Sequence, residues 1–238
     1  YSIYFGLTVV ETVLLKIAGM PWYDAVIHAL SSAGTGGFSN RNASVGAYGS
    51  VAIDLIITVF ILLFSVNFAV YFLLLTRKFR DILASDELRF FLTVVAGSTL
   101  LIAWNIRWLY PSFSQALRYA VFQVASIIST TGFATADFTL WPQLSHLILI
   151  LIMFCGACAG STGGGMKCSR ILILGRSLRR EIHRIVHPRS VEVVTLDGKV
   201  VEEETIHSAL TFVGSYFLVI LAGALIISLD NFSFSVSF

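Results

Sequence analysis

Charged side chains are scarce in this chain: Lys, Arg, Asp and Glu supply 13% of its 238 residues, against 56% hydrophobic residues. A soluble fold carries about 25% charged residues on its surface. The shortfall, with a mean hydropathy of +0.83, excludes such a fold and implies an integral membrane protein. The net charge is only +2, and no nucleic-acid partner is expected. Three cysteines cannot build a disulfide framework, and Cys155 and Cys158 form a C-x-x-C without a second ligand pair, which favours packing over zinc or redox chemistry. His28, His146, His183, His187 and His207 are scattered, and no Ser-His-Asp grouping points to an enzyme. An intramembrane hydrolase built on Ser161 would need a base within hydrogen-bond reach, and the nearest histidines in sequence, His146 and His183, fall near opposite membrane faces. Gly160 to Cys168 lacks the features of a phosphate loop, because Met166 separates Gly165 from Lys167, Cys168 replaces the Ser/Thr and no strand precedes it. Ile3 to Met20 lacks the basic leader and small-residue cleavage site of a signal peptide. The chain opens on Tyr1 rather than Met and stops in Asn231 to Phe238 without a closing element, so an excerpt of a longer protein is expected.

What is present is long apolar runs and a duplication. Ile3 to Met20, Val51 to Leu75, Leu88 to Leu109, Leu144 to Leu174 and Ile206 to Leu229 fit five crossings at about 20 residues each. Most of the 16 basic residues fall in two places. Arg77, Lys78, Arg80 and Arg89 flank one; Lys167, Arg170, Arg176, Arg179, Arg180, Arg184, Arg189 and Lys199 belong to the other. Both read as cytoplasmic, while Trp22, Trp104, Trp108, Tyr110 and Trp141 read as anchors at the outer interface. Asp197-Gly198 between Val191 to Leu196 and Lys199 to Glu202 signals a type I′ hairpin, expected as an exposed ribbon that either merely closes the loop or docks a cytosolic partner. Anionic lipid headgroups could equally hold the arginines.

The duplication pairs Ala29 to Ser39 with Val124 to Ala134, each an apolar stretch running into small hydroxyl and glycine residues and closed by Gly-Phe. Position 37 corresponds to 132. The preceding half-helices, Tyr23 to Ala33 and Gln115 to Ile128, would reach only about 16 to 21 Å at 1.5 Å per residue, so each must turn back. Non-helical backbone at that depth is tolerated only where it is buried in protein or lines water. Glycine and hydroxyl oxygens without a charged side chain can replace the hydration shell of a cation without holding it tightly, and the half-helices direct the negative ends of their dipoles at it. The alternative for any one such loop is a packing seam of small residues. The fold expected is an all-α integral membrane protein. It repeats helix–pore loop–helix units with re-entrant half-helices and adds a short cytoplasmic β-hairpin. Residues 1–75 form one membrane-pore-membrane repeat, 76–87 a cytoplasmic linker, 88–174 a second repeat with a broken inner helix, 175–205 a basic cytoplasmic loop with the hairpin, and 206–238 the first helix of a further repeat.

Ser31 to Ser39, Ser129 to Asp137 and Gly160 to Lys167 carry a resemblance to the membrane subunits of Trk/Ktr-type potassium transporters. That family repeats the membrane-pore-membrane unit four times, and the chain would hold the second, the third and the first helix of the fourth. The resemblance implies that Thr35, Gly36 and Gly37 with Thr130, Thr131 and Gly132 supply filter carbonyls for potassium. Sodium or rubidium would be alternative ions, and no cofactor is implied. It implies location in the plasma membrane, a homodimer, and a cytosolic nucleotide-binding regulatory subunit of the TrkA/KtrA kind. Five glycines between Cys155 and Lys167 would cost a continuous helix about 1 kcal/mol each, so a break is expected there. By the resemblance Gly160, Ser161, Thr162, Gly163, Gly164 and Gly165 form a gate under the filter with Lys167 at its cytoplasmic end; a packing seam is the alternative. Asn67, at the position aligned with Thr162, could face the same cavity.

Glu11, inside a crossing, is a functional candidate or a partner of Lys16 or a neighbouring hydroxyl. Asp54 and Asp137 are expected near the outer mouth, either concentrating cations or simply solvated. Asn42-Ala43-Ser44 and Asn231-Phe232-Ser233 match glycosylation sequons. A secondary transporter with broken helices is the alternative function, although its coupling side chains are missing from these loops.

Overall fold

The computed structural model describes residues 2–187 and 192–229; Arg189, Val191 and the Asn231 sequon lie outside the described residues. The chain divides into two compact units, Tyr1–Ser169 and Arg170–Phe238. In the first, eight helices follow one another: α1 (Ser2–Ile17), α2 (Trp22–Ala33), α3 (Val51–Phe64), α4 (Phe68–Leu75), α5 (Phe79–Ala84), α6 (Asp86–Ile106), α7 (Phe113–Ile128) and α8 (Gln143–Cys155). Their starts follow capping chemistry. Ser50, Ser85 and Ser112 accept hydrogen bonds from the backbone N–H of Ile53, Leu88 and Gln115 at 3.5, 3.5 and 3.3 Å, which satisfies donors that the first turn leaves orphaned. α2 begins behind Pro21 at φ −56°, the value its ring imposes.

The two half-helices are α2 and α7, of 12 and 16 residues. At 1.5 Å per residue they extend about 18 and 24 Å, short of a hydrocarbon core of about 30 Å. Asp86–Leu109 and a later helix, Glu203–Ser228, are each long and apolar enough to cross a membrane. The expected crossing over Val51 to Leu75 is instead α3 and α4, bent by 93°. The bend has no proline or glycine. Its cause is tertiary: the Phe64 carbonyl accepts from the Tyr4 hydroxyl at 3.0 Å and from Thr162 Oγ1 at 3.3 Å, while the Ser65 carbonyl accepts from Cys158 N–H. Asn67 then caps α4, accepting from Ala69 N–H at 2.8 Å. The crossing expected over Leu144 to Leu174 breaks as anticipated, with α8 ending at Cys155 and α9 (Cys168–Val186) beginning after twelve intervening residues.

One core joins α6, α7 and α8 through Phe91, Ile102, Ala120, Val124, Leu149 and Ile152. Another crosses the repeats, packing Leu15, Ile57 and Ile61 on Phe122, Ala125 and Phe133. Where lipid replaces water outside, such close packing rather than transfer from water holds helices together. Arg118 of α7 pairs with Asp54 of α3 at 3.6 Å, with the Asp54 side chain only 6% exposed. Asp54 is therefore a link between repeats and neither solvated nor open to cations. Asp137 accepts from Thr139 N–H at 3.0 Å and from its hydroxyl, bonds that hold its carboxyl below its ordinary pKa. It caps the 3-10 turn Phe138–Leu140. Trp141 is also not an interfacial anchor: it is buried, its indole N–H donating to the Tyr110 hydroxyl at 3.0 Å. Trp104 and Trp108 do lie exposed, 3.7 and 4.3 Å from the Arg107 guanidinium.

In the second unit the basic segment is no loop, because α9 continues to Val186 and carries Arg170, Arg176, Arg179, Arg180 and Arg184. β1 (Thr195–Leu196) and β2 (Lys199–Val200) pair antiparallel, Thr195 opposite Val200. Asp197 and Gly198 have φ of +50° and +74°, the two left-handed residues that a type I′ turn requires. The hairpin is not a free ribbon. Val194 is buried with Ile173 of α9 and with Ile206 and Ala209 of α10 (Glu203–Ser228), and the Arg176 guanidinium donates to the Thr195 carbonyl.

Replacing Gly198 by Val forces a branched side chain into left-handed backbone, a cost of about 1–2 kcal/mol. Because the Val201 N–H donates to the Val194 carbonyl at 2.8 Å beside the turn, hydrogen exchange at the Val201 amide is expected to accelerate about 5- to 30-fold. Unchanged exchange would mean that the turn does not set the hairpin.

Candidate functional site

The duplicated loops share one backbone conformation. After α2, Gly34 N–H donates to Leu30 O, Thr35 N–H to Ser32 O and Gly36 N–H to Ser31 O; after α7, Ser129, Thr130 and Thr131 donate to Ala125, Ile127 and Ser126 in the same order. Thr35 and Gly37 have φ of +48° and +67°, and Thr130 and Gly132, at the matching positions, +60° and +87°. Left-handed residues are uncommon outside glycine, and two threonines held so at matched positions identify a shared local fold rather than coincidence of composition.

The loops also meet. A Cβ at Gly37 would lie 2.0 Å from the Thr131 carbonyl oxygen, so the backbones touch at a point only glycine permits. Further out, Gly46 N–H donates to Ala134 O at 3.0 Å and Ala134 N–H to Ser44 Oγ at 3.3 Å. Both half-helices end against the loops, with the negative ends of their dipoles directed onward. Thr35, Gly36 and Gly37 are thus brought together with Thr130, Thr131 and Gly132.

Residues 156–167 lie directly against them. Gly164 N–H donates to Thr130 Oγ1 at 2.7 Å, and Thr35 Oγ1 donates to the Thr162 carbonyl at 3.2 Å. A Cβ at Gly163 would stand 3.0 Å from the Ser129 carbonyl oxygen and 2.4 Å from the Ala157 side chain. Lys167 turns back into this segment, its ammonium donating to the carbonyls of Gly163 and, at 3.4 Å, Ser161. Asn67 meets the segment at Gly160: a Cβ there would lie 3.1 Å from its Oδ1, and Phe68 N–H donates to the Gly160 carbonyl at 3.0 Å. Ser161 Oγ donates to the Cys158 carbonyl. Among the described residues the three cysteines are free thiols and no cluster of metal-ligating side chains occurs.

Two groups outside the motifs support the loops. Asp24, in the first turn of α2, accepts from the Tyr48 hydroxyl at 2.6 Å and from Arg41 at 3.1 Å, tying the segment after the first loop to the start of its half-helix. His28 contacts the Asp24 carbonyl at 2.7 Å and Ser39 Oγ at 3.0 Å and stacks on Phe133, with ring centroids 5.5 Å apart. The histidine that looked scattered therefore joins both copies. An offset of one turn between Asp24 and His28 was the available signal. Glu11 is fully buried beside Ser32, whereas Lys16 sits over the Trp22 ring at 5.8 Å; Glu11 faces a hydroxyl rather than the lysine.

A profile of the TrkH family, described as a cation transport protein, matches residues 1–112 and 110–238. The chain belongs to the TrkH family. The Trk system potassium uptake protein TrkH of Halomonas elongata is 37% identical over 242 residues, covering 97% of this chain and 49% of the relative. TrkH of Escherichia coli K12 is 35% identical over 240 residues, covering 98% and 50%. The crystal structure of the potassium transporter TrkH from Vibrio parahaemolyticus superposes with a TM-score of 0.92 at 33% identity, over 100% of this chain and 52% of that one. This TrkH-family chain spans about half the length of the relatives it matches.

In the intact protein, Gly37→Ala is expected to lower stability by about 2–4 kcal/mol, combining left-handed strain with overpacking against Thr131. Gly132→Ala, whose Cβ would meet nothing within 4 Å, costs only the strain, about 1–2 kcal/mol. Thermal unfolding in detergent compares them; equal losses would contradict the close approach.

Proposed function

We propose that this chain supplies half the wall of a potassium pathway through the plasma membrane. The single observation that carries the reading is the contact between two loops of matched left-handed backbone, Thr35 to Gly37 and Thr130 to Gly132. The potassium uptake named for relatives 35–37% identical supports the choice of ion. Carbonyl and hydroxyl oxygens from these residues replace water around the ion. They carry no net charge, so the ion can leave again. The C-terminal dipoles of α2 and α7 add negative potential for a cation, and the membrane potential drives it inward. A single Gly-Phe per loop gives few ordered sites and a modest preference for potassium over sodium. Two further loops from the rest of the protein would close the ring.

Gly160 to Gly165 form the gate in this reading, since the segment is bonded to Thr35 and Thr130 of the filter loops. Lys167, bonded to the Ser161 and Gly163 carbonyls, holds it folded by placing an ammonium where a cation would sit. A cytosolic nucleotide-binding regulatory subunit of the TrkA/KtrA kind acts from the face that bears basic α9 and the hairpin, in a homodimeric assembly. The pathway needs no resident cofactor and performs no covalent chemistry.

Reconstituting the intact protein in liposomes and measuring rubidium flux under an imposed potential, without a proton or sodium gradient, tests both parts. Gly132→Asp, which has room for its side chain, is expected to cut flux at least about tenfold, equivalent to ~1.4 kcal/mol of barrier; unchanged flux would remove the filter assignment. Shortening Gly160 to Gly165 is expected to raise flux with the rubidium-to-sodium ratio constant. A folded variant with lower or equal flux would make the segment a packing seam. Flux that appears only with a proton or sodium gradient would favour a coupled carrier.

A further inference from the structure

The charged group in deepest contact with the broken segment is not part of it. Glu87 is the second residue of α6 and is buried, 7% exposed. Its Oε1 accepts two backbone hydrogen bonds, from Ala159 N–H at 2.7 Å and from Ser169 N–H at 3.0 Å. These donors lie on opposite flanks of Gly160 to Lys167. One carboxylate oxygen therefore draws together the entry and exit of the segment, as a clasp closes a loop.

The chemistry suits the task. Ser169 is at the start of α9, where the first N–H groups have no partner within their own helix, and the Ala159 N–H belongs to irregular backbone following α8. Both would be orphaned donors in a region poor in water, each costing about 1–3 kcal/mol if unpaired. A carboxylate takes several donors at once and binds them more strongly than a neutral acceptor. Other bonds fix the segment at single points, among them Cys158 N–H to the Ser65 carbonyl, Phe68 N–H to the Gly160 carbonyl and Gly164 N–H to Thr130 Oγ1, and Cys168 N–H donates across the flanks to the Ala157 carbonyl at 3.0 Å. Glu87 is the side chain that holds both flanks from another helix, and so adds to that local bond a link to α6. It also follows at once on α5 and the Ser85 cap, and the Arg89 Nε donates to the Leu83 carbonyl, so the first turn of α6 is bonded to the linker before it. Displacement of that linker is delivered to both flanks through one side chain.

We propose that Glu87 is the positioning residue of the gate: its carboxylate clasps Ala159 and Ser169 to keep Gly160 to Gly165 folded against the filter threonines, and movement of the 76–85 linker opens the segment through it. The proposal rests on the gate reading above. Glu87 does not touch the ion and leaves selectivity to the loops.

The test is rubidium and sodium flux through the intact protein in liposomes without its regulator, paired with hydrogen exchange. Glu87→Ala is expected to raise basal rubidium flux at least about fivefold by shifting the closed population, with the rubidium-to-sodium ratio unchanged. Exchange should quicken at the Ala159 and Ser169 amides and not at Val124 in the α7 core. Glu87→Gln, which keeps an oxygen acceptor, is expected to stay within about twofold of the parent. If Glu87→Ala fails to fold, Glu87→Asp retains the charge but withdraws the oxygen by one methylene, and its flux is expected to rise. Unchanged or lower flux in a folded Ala or Asp variant, exchange quickened evenly across α6 to α8, or a Gln variant that behaves like Ala would each overturn the clasp. Shortening Gly160 to Gly165 serves as the control. If that deletion fails to raise flux, the gate reading fails, while the Ala159 and Ser169 amides still report whether the clasp exists.

Discussion

Backbone that leaves a helix inside a bilayer loses hydrogen-bond partners that water cannot replace, and this structure is organised around meeting that demand. Three irregular segments, 34–39, 129–134 and 156–167, satisfy one another. The Thr130 hydroxyl accepts from Gly164 N–H, the Thr35 hydroxyl donates to the Thr162 carbonyl, and Gly37 packs on the Thr131 carbonyl. None of the three is self-sufficient. The left-handed φ of Thr35 and Thr130, unfavourable for a branched side chain, is offset by placing each hydroxyl against the third segment.

The bend between α3 and α4 follows from the same constraint. Residues 156–167 need acceptors and donors on their remaining side, and the first repeat supplies them by opening its own helix. The carbonyls of Phe64 and Ser65 and the N–H of Phe68 are given up by helical geometry and taken by Thr162, Cys158 and Gly160. A break in the second repeat thus requires a break in the first. The two differ in depth because the first spans only Ser65 to Asn67 while the second runs from Gly156 to Lys167. The duplicated loops and the glycine-rich segment, separable as sequence motifs, are one hydrogen-bonded body in the folded chain.

Much of this was legible from residue order. The half-helices, their matched loops, the break after Cys155 and the Asp197-Gly198 turn all rest on local signals: helix length, glycine density, turn chemistry. What escaped was every feature whose cause lies far along the chain. Nothing in Phe64-Ser65-Val66-Asn67 announces a 93° bend, because its partners are Tyr4, Cys158 and Thr162. Asp54 and Trp141 carried the composition of an outer mouth and of an interfacial anchor, yet Arg118 and Tyr110 bury them. The helical course of α9 was hidden by its arginines, which read as a loop when charge was used to place membrane faces. Glu87 was indistinguishable from other linker charges, since its two donors are backbone groups that no sequence pattern reveals.

The two copies of the loop are equivalent in backbone and unequal in support. Phe133 is fully buried beneath His28, whereas its counterpart Phe38 is 77% exposed. The second loop is held by the Ser129 and Thr131 hydroxyls 2.7 Å apart and by Ser126 Oγ donating to the Phe133 carbonyl; the first has Gly34 and Gly36 where those hydroxyls would be. The two copies thus differ in their hydrogen bonds within this chain, and the segment 156–167 touches both. Thr130 accepts from that segment while Thr35 donates to it, and Thr35 Oγ1 also reaches the Gly34 carbonyl at 2.8 Å, so withdrawing the segment would leave its own Gly164 N–H, more than the first loop, short of a partner. On the proposed reading, a cation at the loops would compete with Gly164 N–H for the Thr130 oxygen, so ion and segment 156–167 would meet at the second copy.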